Sequence, residues 1–198
     1  MNNLIYIWIP KTAGTSFWRS ITKKHPNFRR DLNGKSKFFF GTYGHVYIKH
    51  IFSKEELNSI KKICVCRNPY DRFVSLYFYS KKSKFIDQSL SLRDFAKKVC
   101  VEKIDPIGKY NVSKLSYCNP QNHWIKDIDD VEVYRFENID KLFSDYKIKN
   151  IKLNTSNHKH YLEYFKDEDI LKMVNDFYKE DFQIFNYDVI ESFKKNDS

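Results

Sequence analysis

Trp8-Ile9-Pro10-Lys11-Thr12-Ala13-Gly14-Thr15-Ser16-Phe17 is the stretch from which the rest of the chain can be read. It follows a β-rich run, Leu4-Ile5-Tyr6-Ile7-Trp8-Ile9, and opens an amphipathic segment that begins at Phe17 and Ile21. A strand that ends in a small-residue loop and then enters a helix aims several backbone N–H groups at one spot. The positive end of the helix dipole falls on the same spot, which makes it an anion site. Lys11 adds a full charge, and Thr12, Thr15 and Ser16 add hydroxyl donors, a set suited to phosphate. The order of residues departs from the nucleotide-hydrolase loop G-x-x-x-x-G-K-[ST]. Here the lysine precedes Gly14 and no glycine opens the loop.

A second strand-to-helix junction lies further on. Ile63-Cys64-Val65-Cys66 reads as a short buried strand, and it delivers Arg67 to its end. Asn68 then suits a helix N-cap, Pro69 the first helical position and Asp71 the place of a capping-box acid. Arginine grips phosphate with a planar fork of donors, and Ser75 sits about two helical turns beyond it. Between the two junctions lies Gly41-Thr42-Tyr43-Gly44-His45-Val46. A histidine titrates near ~6.5, so at neutral pH His45 can accept a proton from an attacking hydroxyl.

Ile9 to Ser16 resembles the 5′-phosphosulfate loop of sulfotransferases that use 3′-phosphoadenosine-5′-phosphosulfate (PAPS), and Arg67 to Tyr77 is similar to their 3′-phosphate motif. The wording of the first loop looks most like the carbohydrate O-sulfotransferases related to heparan sulfate 2-O-sulfotransferase. The resemblance implies an α/β fold, a single P-loop-type domain over residues 1–198 with a central, mainly parallel sheet flanked by helices. It implies in-line transfer of a sulfuryl group from PAPS to an acceptor hydroxyl, on a glycan or glycolipid, with no metal. Lys11 would sit at the phosphosulfate bridge, where charge builds as the bond breaks. Lys11, Thr12, Ala13, Gly14, Thr15 and Ser16 would hold the 5′-phosphate, and Arg67 and Ser75 the 3′-phosphate. His45 matches the histidine of the family's Gly-His pair and would be the base; Tyr43 stands where many members carry a second histidine. Tyr134-Arg135-Phe136-Glu137-Asn138 also looks like a later strand of the family, and residues 152–160 like a basic loop that closes over the nucleotide. Two other classes stay open: a P-loop kinase of a small metabolite, and a polyanion-binding module without catalysis.

The composition suits this reading. One hundred and ninety-eight residues with 41% hydrophobic and 17% aromatic content make a folded globule of one-domain size. No apolar run approaches the ~20 residues of a membrane span. The N-terminus has no signal-peptide pattern and Met1 leads almost directly into a strand, so a cytoplasmic location is expected. Cys64 and Cys66 share one strand face and cannot bridge each other, and no zinc spacing occurs. The net charge of +10 draws in polyanions and multiply charged nucleotides, while no nucleic-acid recognition motif is present.

The pattern predicts further elements: a helix over 15–24, a strand over 38–40 before the His45 loop and a helix over 55–61. Beyond Pro69 it predicts a helix to about Lys81, one from Ser91 to Cys100, and a loop over 102–116 that faces the acceptor. Another helix is plausible near Gln121 to Trp124. A strand over 131–136, a helix ending near Tyr146 and one continuous helix over 167–182 complete the chain.

Overall fold

Leu4 and Tyr6 point to one side of the first strand, β1 (Leu4–Trp8), and Ile5 and Ile7 to the other, and all four are buried. A strand buried on both faces belongs inside a covered parallel sheet. The computed structural model places it there, and describes residues 3–44, 46–108, 110–111, 115–151 and 158–192. The chain packs as two compact units, one of residues 1–67 and 121–155, the other of 68–120 and 156–198.

The first unit is an α/β layer structure. Its elements are β1, α1 (Gly14–Lys24), β2 (Arg29–Asp31), β3 (Phe40–Gly44), α2 (Lys54–Ser59), β4 (Lys61–Cys66), β7 (Val131–Arg135) and α5 (Ile139–Asp145). The strands form one parallel sheet in the order β2-β3-β1-β4-β7. From β1 the chain first extends the sheet to one side through β2 and β3, then crosses to add β4 on the other. The carboxyl ends of β1 and β4 therefore lie next to each other where the winding reverses, the place at which open α/β sheets bind ligands. On one face, Phe17 and Ile21 of α1 and Leu142, Phe143 and Tyr146 from α5 and its end pack on Leu4, Tyr6, Ile63, Val65 and Tyr134.

Four segments of this unit depart from the sequence reading or go beyond it. The third strand runs over Phe40–Gly44 and so includes Gly41-Thr42-Tyr43-Gly44, read from sequence as loop. Parallel pairing to β1 in register Ile5↔Gly41 and Trp8↔Gly44 imposes it, and a Cβ at Gly41 would come within 2.4 Å of the Arg29 carbonyl. Arg29–Asp31, a charged triplet without a strand signature, pairs with β3 as the sheet's edge. The helix expected over 55–61 ends at Ser59, because Lys61 already pairs with Leu4 in the sheet. Residues Gln121–Trp124 form a single 3₁₀ turn.

The second unit is built on α3 (Pro69–Lys82). Against it lie α4 (Leu92–Ala96), continued by a π turn over Lys97–Val101, then α6 (Glu168–Phe177) and α7 (Lys179–Ile184). Asn68 caps α3, its side chain accepting from the N–H groups of Tyr70 and Asp71, and Ser91 caps α4. Tyr70, Phe73, Val74, Leu76, Phe95, Val99, Phe165, Val174 and Phe182 make the core. Inside the stretch expected to be loop, β5 (Ile104–Asp105) pairs antiparallel with β6 (Tyr110–Asn111). The continuous helix expected over 167–182 breaks at Tyr178, which is fully buried and donates its hydroxyl to the Cys118 carbonyl at 2.9 Å. Among the described residues no helix is long and apolar enough to cross a membrane, and all four cysteines are buried without a disulfide.

Candidate functional site

The β1–α1 loop is held in a conformation it would not choose alone. Lys11 and Ala13 both have φ 68°, in the left-handed region, which costs a non-glycine residue about 1–2 kcal/mol. Such strain persists only where neighbours over-determine it. One neighbour is internal: Thr12, fully buried, donates its hydroxyl to the Ile9 carbonyl at 2.8 Å. Another comes from β4, where Arg67 Nη1 donates to the Lys11 carbonyl at 3.2 Å. The two arms of sequence singled out for phosphate thus meet at adjacent strand ends.

Beyond the loop, α1 begins at Gly14 with no side chain capping its N-terminus and no acid in its first turn. Its first N–H groups point out along the helix axis toward the loop. Gly14 is required here for a steric reason: a Cβ would stand 2.3 Å from the Trp8 indole nitrogen. The Trp8 ring therefore lies flat against the start of the helix. Ser16 is buried, and Thr15 is partly exposed.

Arg67 is the better-braced partner. It is only 7% exposed, and its guanidinium carbon lies 4.2 Å from the Phe136 ring centroid. Its backbone is clamped by one side chain. Gln121 Oε1 accepts from the Arg67 N–H at 2.9 Å, and Gln121 Nε2 donates to the Arg67 carbonyl at 2.8 Å. The amide continues the ladder one residue beyond the end of β4 pairing, where Cys66 still pairs with Arg135. Sequence reading did not assign Gln121 a role in the site. A lone glutamine carries no periodicity, and a Gln near a turn gives no sign of which distant backbone it will meet.

Lys11, Thr12, Ala13, Gly14, Thr15, Ser16 and Arg67 are all in the first unit, and the structure brings them to one end of the sheet. Ser75 belongs to the second unit, buried on α3. His45 lies outside the described residues, as do residues 152–157 of the late basic loop. His158, the first described residue of that loop, is stacked on Phe78 with Nε2 at 4.0 Å from the Asp71 carboxylate. Among the described residues no three His, Cys, Asp or Glu side chains converge as metal ligands do.

The architecture is an α/β fold with a central parallel sheet, shared with a solved sulfotransferase. The crystal structure of a sulfotransferase from Alicyclobacillus acidocaldarius matches with a TM-score of 0.53 over 95% of this chain and 97% of that one. Identity between the two is 13%, so the likeness is one of fold. No family model and no curated protein matches the sequence.

Proposed function

We propose that the chain is a sulfotransferase, a single functional domain that moves a sulfuryl group from PAPS to an acceptor hydroxyl on a carbohydrate. The observation that carries this reading is the contact of Arg67 with the Lys11 carbonyl, which joins the two phosphate motifs of the sequence at neighbouring strand ends. The donor set suits nucleotide phosphates: a strained loop, an uncapped helix N-terminus, one lysine and one arginine, with no acid in the helix's first turn. PAPS supplies an already activated sulfuryl group. The chain's part is to bind its phosphates, to orient it and to take a proton from the acceptor.

In this reading Lys11 stands by the bridging oxygen, where negative charge develops. The backbone of Ala13 and Gly14, with Thr15 and Ser16, serves the 5′-phosphate. Thr12 contributes through its backbone, since its hydroxyl proton goes to Ile9. Arg67 and Ser75 serve the 3′-phosphate, and His45 takes the acceptor proton. The choice of a carbohydrate acceptor rests on the wording of Ile9 to Ser16 and on the Gly44-His45 pair.

Calorimetric titration with 3′-phosphoadenosine 5′-phosphate, beside AMP and magnesium-ATP, tests the donor assignment on wild type and Arg67→Ala. Selective binding of the 3′-phosphorylated nucleotide, lost in the variant, is expected. Better binding of magnesium-ATP would replace the reading with a kinase. Binding with no sulfuryl transfer to any hydroxyl acceptor, and no effect of His45→Ala, would leave a binding module.

A further inference from the structure

The sheet of the first unit has two edges, and the sequence treats them differently. At one edge β2 is three residues long and entirely charged, Arg29-Arg30-Asp31, with both arginines exposed. A short, charged edge discourages a further strand from pairing. At the other edge β7 runs for five residues, Val131-Glu132-Val133-Tyr134-Arg135, without proline, glycine or lysine. It pairs with β4 along its whole length, from Lys62↔Val131 to Cys66↔Arg135. β4 and α5 are the elements that pack against it most closely. For Val131 to Tyr134, the backbone hydrogen bonds among the described residues run within this sheet. A strand paired on one side only presents a row of N–H and C=O groups on the other.

Side chains alternate along the strand. Tyr134 is buried with Leu142 and Phe143 of α5. Glu132, on the same face, is held by Lys61 at 2.8 Å and accepts from the Tyr134 hydroxyl at 2.6 Å. The opposite face carries Val131, half-buried, and Val133, which is 40% exposed. An exposed β-branched residue therefore stands at the middle of the open edge. The two ends of the strand carry opposite charge: Asp129 and Asp130 are exposed just before it, and Arg135 is exposed at its end.

We infer that β7 is a self-association edge, pairing antiparallel with β7 of a second copy of this chain about a two-fold axis at Val133. In that register Val133 faces its own counterpart, Glu132 lies opposite Tyr134, and Val131 lies opposite Arg135. Each arginine then reaches Asp129 and Asp130 at the start of the other strand, twice over by symmetry. Parallel pairing would set arginine beside arginine and acid beside acid, so the charge order selects the antiparallel form. The sheet becomes continuous through both copies. Five residues a side make a small interface, which places the association in the micromolar range. This inference does not depend on the sulfotransferase reading.

The test uses the full chain: sedimentation velocity across the micromolar range, with amide hydrogen exchange at both ends of that range. A monomer–dimer equilibrium is expected, in which amides of the Val131–Tyr134 stretch gain protection only as the dimer fills. Val133→Lys should weaken association by about tenfold or more, since two lysines would face each other at the axis. Its urea midpoint should stay close to that of wild type. Arg135→Glu and Asp129→Lys/Asp130→Asn should each associate more weakly than wild type. Mixed together they should dimerise again, because both charge contacts of the mixed pair are then opposite in sign. A monomer at every concentration, a dimer that Val133→Lys leaves intact, a mixture no tighter than either variant alone, or assembly beyond two copies would overturn the inference. Protection of those amides that does not change with concentration would also overturn it, and would give the edge to a segment of the same chain. Should Arg135→Glu lower the urea midpoint, Val133→Lys and the wild-type exchange decide the question.

Discussion

Gln121→Leu is the substitution that most directly tests how the site is held. The side chain is fully buried, and its two amide atoms satisfy both the N–H and the C=O of Arg67. Leucine fills much of the same volume and offers neither bond. An unsatisfied buried backbone group costs about 1–3 kcal/mol, and a carbonyl with two lone pairs is more easily compensated than an N–H. The sum is about 2–4 kcal/mol. With a urea slope of about 2 kcal/mol/M for a chain of this size, the unfolding midpoint should fall by about 1–2 M. Arg67 also loses the brace that aims it at the Lys11 carbonyl, so affinity for 3′-phosphoadenosine 5′-phosphate should drop by about tenfold. Gln121→Glu sharpens the test. Its carboxylate still accepts from the Arg67 N–H but sets a second charged oxygen against the Arg67 carbonyl, which favours the protonated acid. That variant should regain stability as pH falls from 8 toward 5, whereas wild type has no such term from this position. A Gln121→Leu protein with the wild-type urea midpoint and nucleotide affinity would refute the account.

Three further outcomes follow from the same structure. Gly14→Ala should destabilise by about 1–3 kcal/mol through overpacking against the Trp8 indole, and a Trp8→Ala background should remove most of that cost in a double-mutant cycle read by urea unfolding. Lys11→Ala should lower kcat for sulfuryl transfer by about 10²–10³-fold with little change in the unfolding midpoint, measured with a radiolabelled donor; equal kcat would remove Lys11 from the chemistry. Burial pushes the Tyr70 and Tyr117 hydroxyls up to about 12. A group whose pKa is raised on folding contributes stability that is complete below its unfolded value near ~10 and is lost as pH rises toward its folded one. Alkaline titration should therefore show late phenolate absorbance arriving together with loss of the near-ultraviolet circular dichroism. Tyr70→Phe should not protect the fold at neutral pH, because Tyr70 also accepts from the Ile190 N–H and donates to Asn175. Early, non-cooperative ionisation of every tyrosine would contradict the burial.

What the sequence determined by itself was local. The strand Leu4–Trp8 and the helix after Gly14 follow from a continuous apolar run, a small-residue loop and helical spacing of Phe17 and Ile21, all within one short window. Asn68 and Pro69 mark the start of α3, and Ser91 the start of α4, because a cap acts on N–H groups two or three residues away. The strand–loop–helix placement of Lys11 to Ser16 and the strand-end position of Arg67 were legible for the same reason: strand, loop and helix N-terminus are contiguous.

Tertiary structure decided what depends on distant partners. The triplet Arg29–Asp31 has no strand propensity and becomes β2 only because β3 offers it a free edge. Gly41 to Gly44 reads as loop, yet pairing with β1 draws it into an extended strand. Tyr178 sits in a helical pattern and breaks it, since its hydroxyl is anchored on Cys118, far back in the chain. Lys11 and Arg67 are separated by more than fifty residues, and their meeting needed the reversal of winding that sets β1 beside β4. Gln121 had no role at all until the end of β4 left one peptide's N–H and C=O without a neighbouring strand. Local physics specifies which segments form elements and where their ends lie; which backbone groups remain to be satisfied, and by what, exists only once the sheet is assembled.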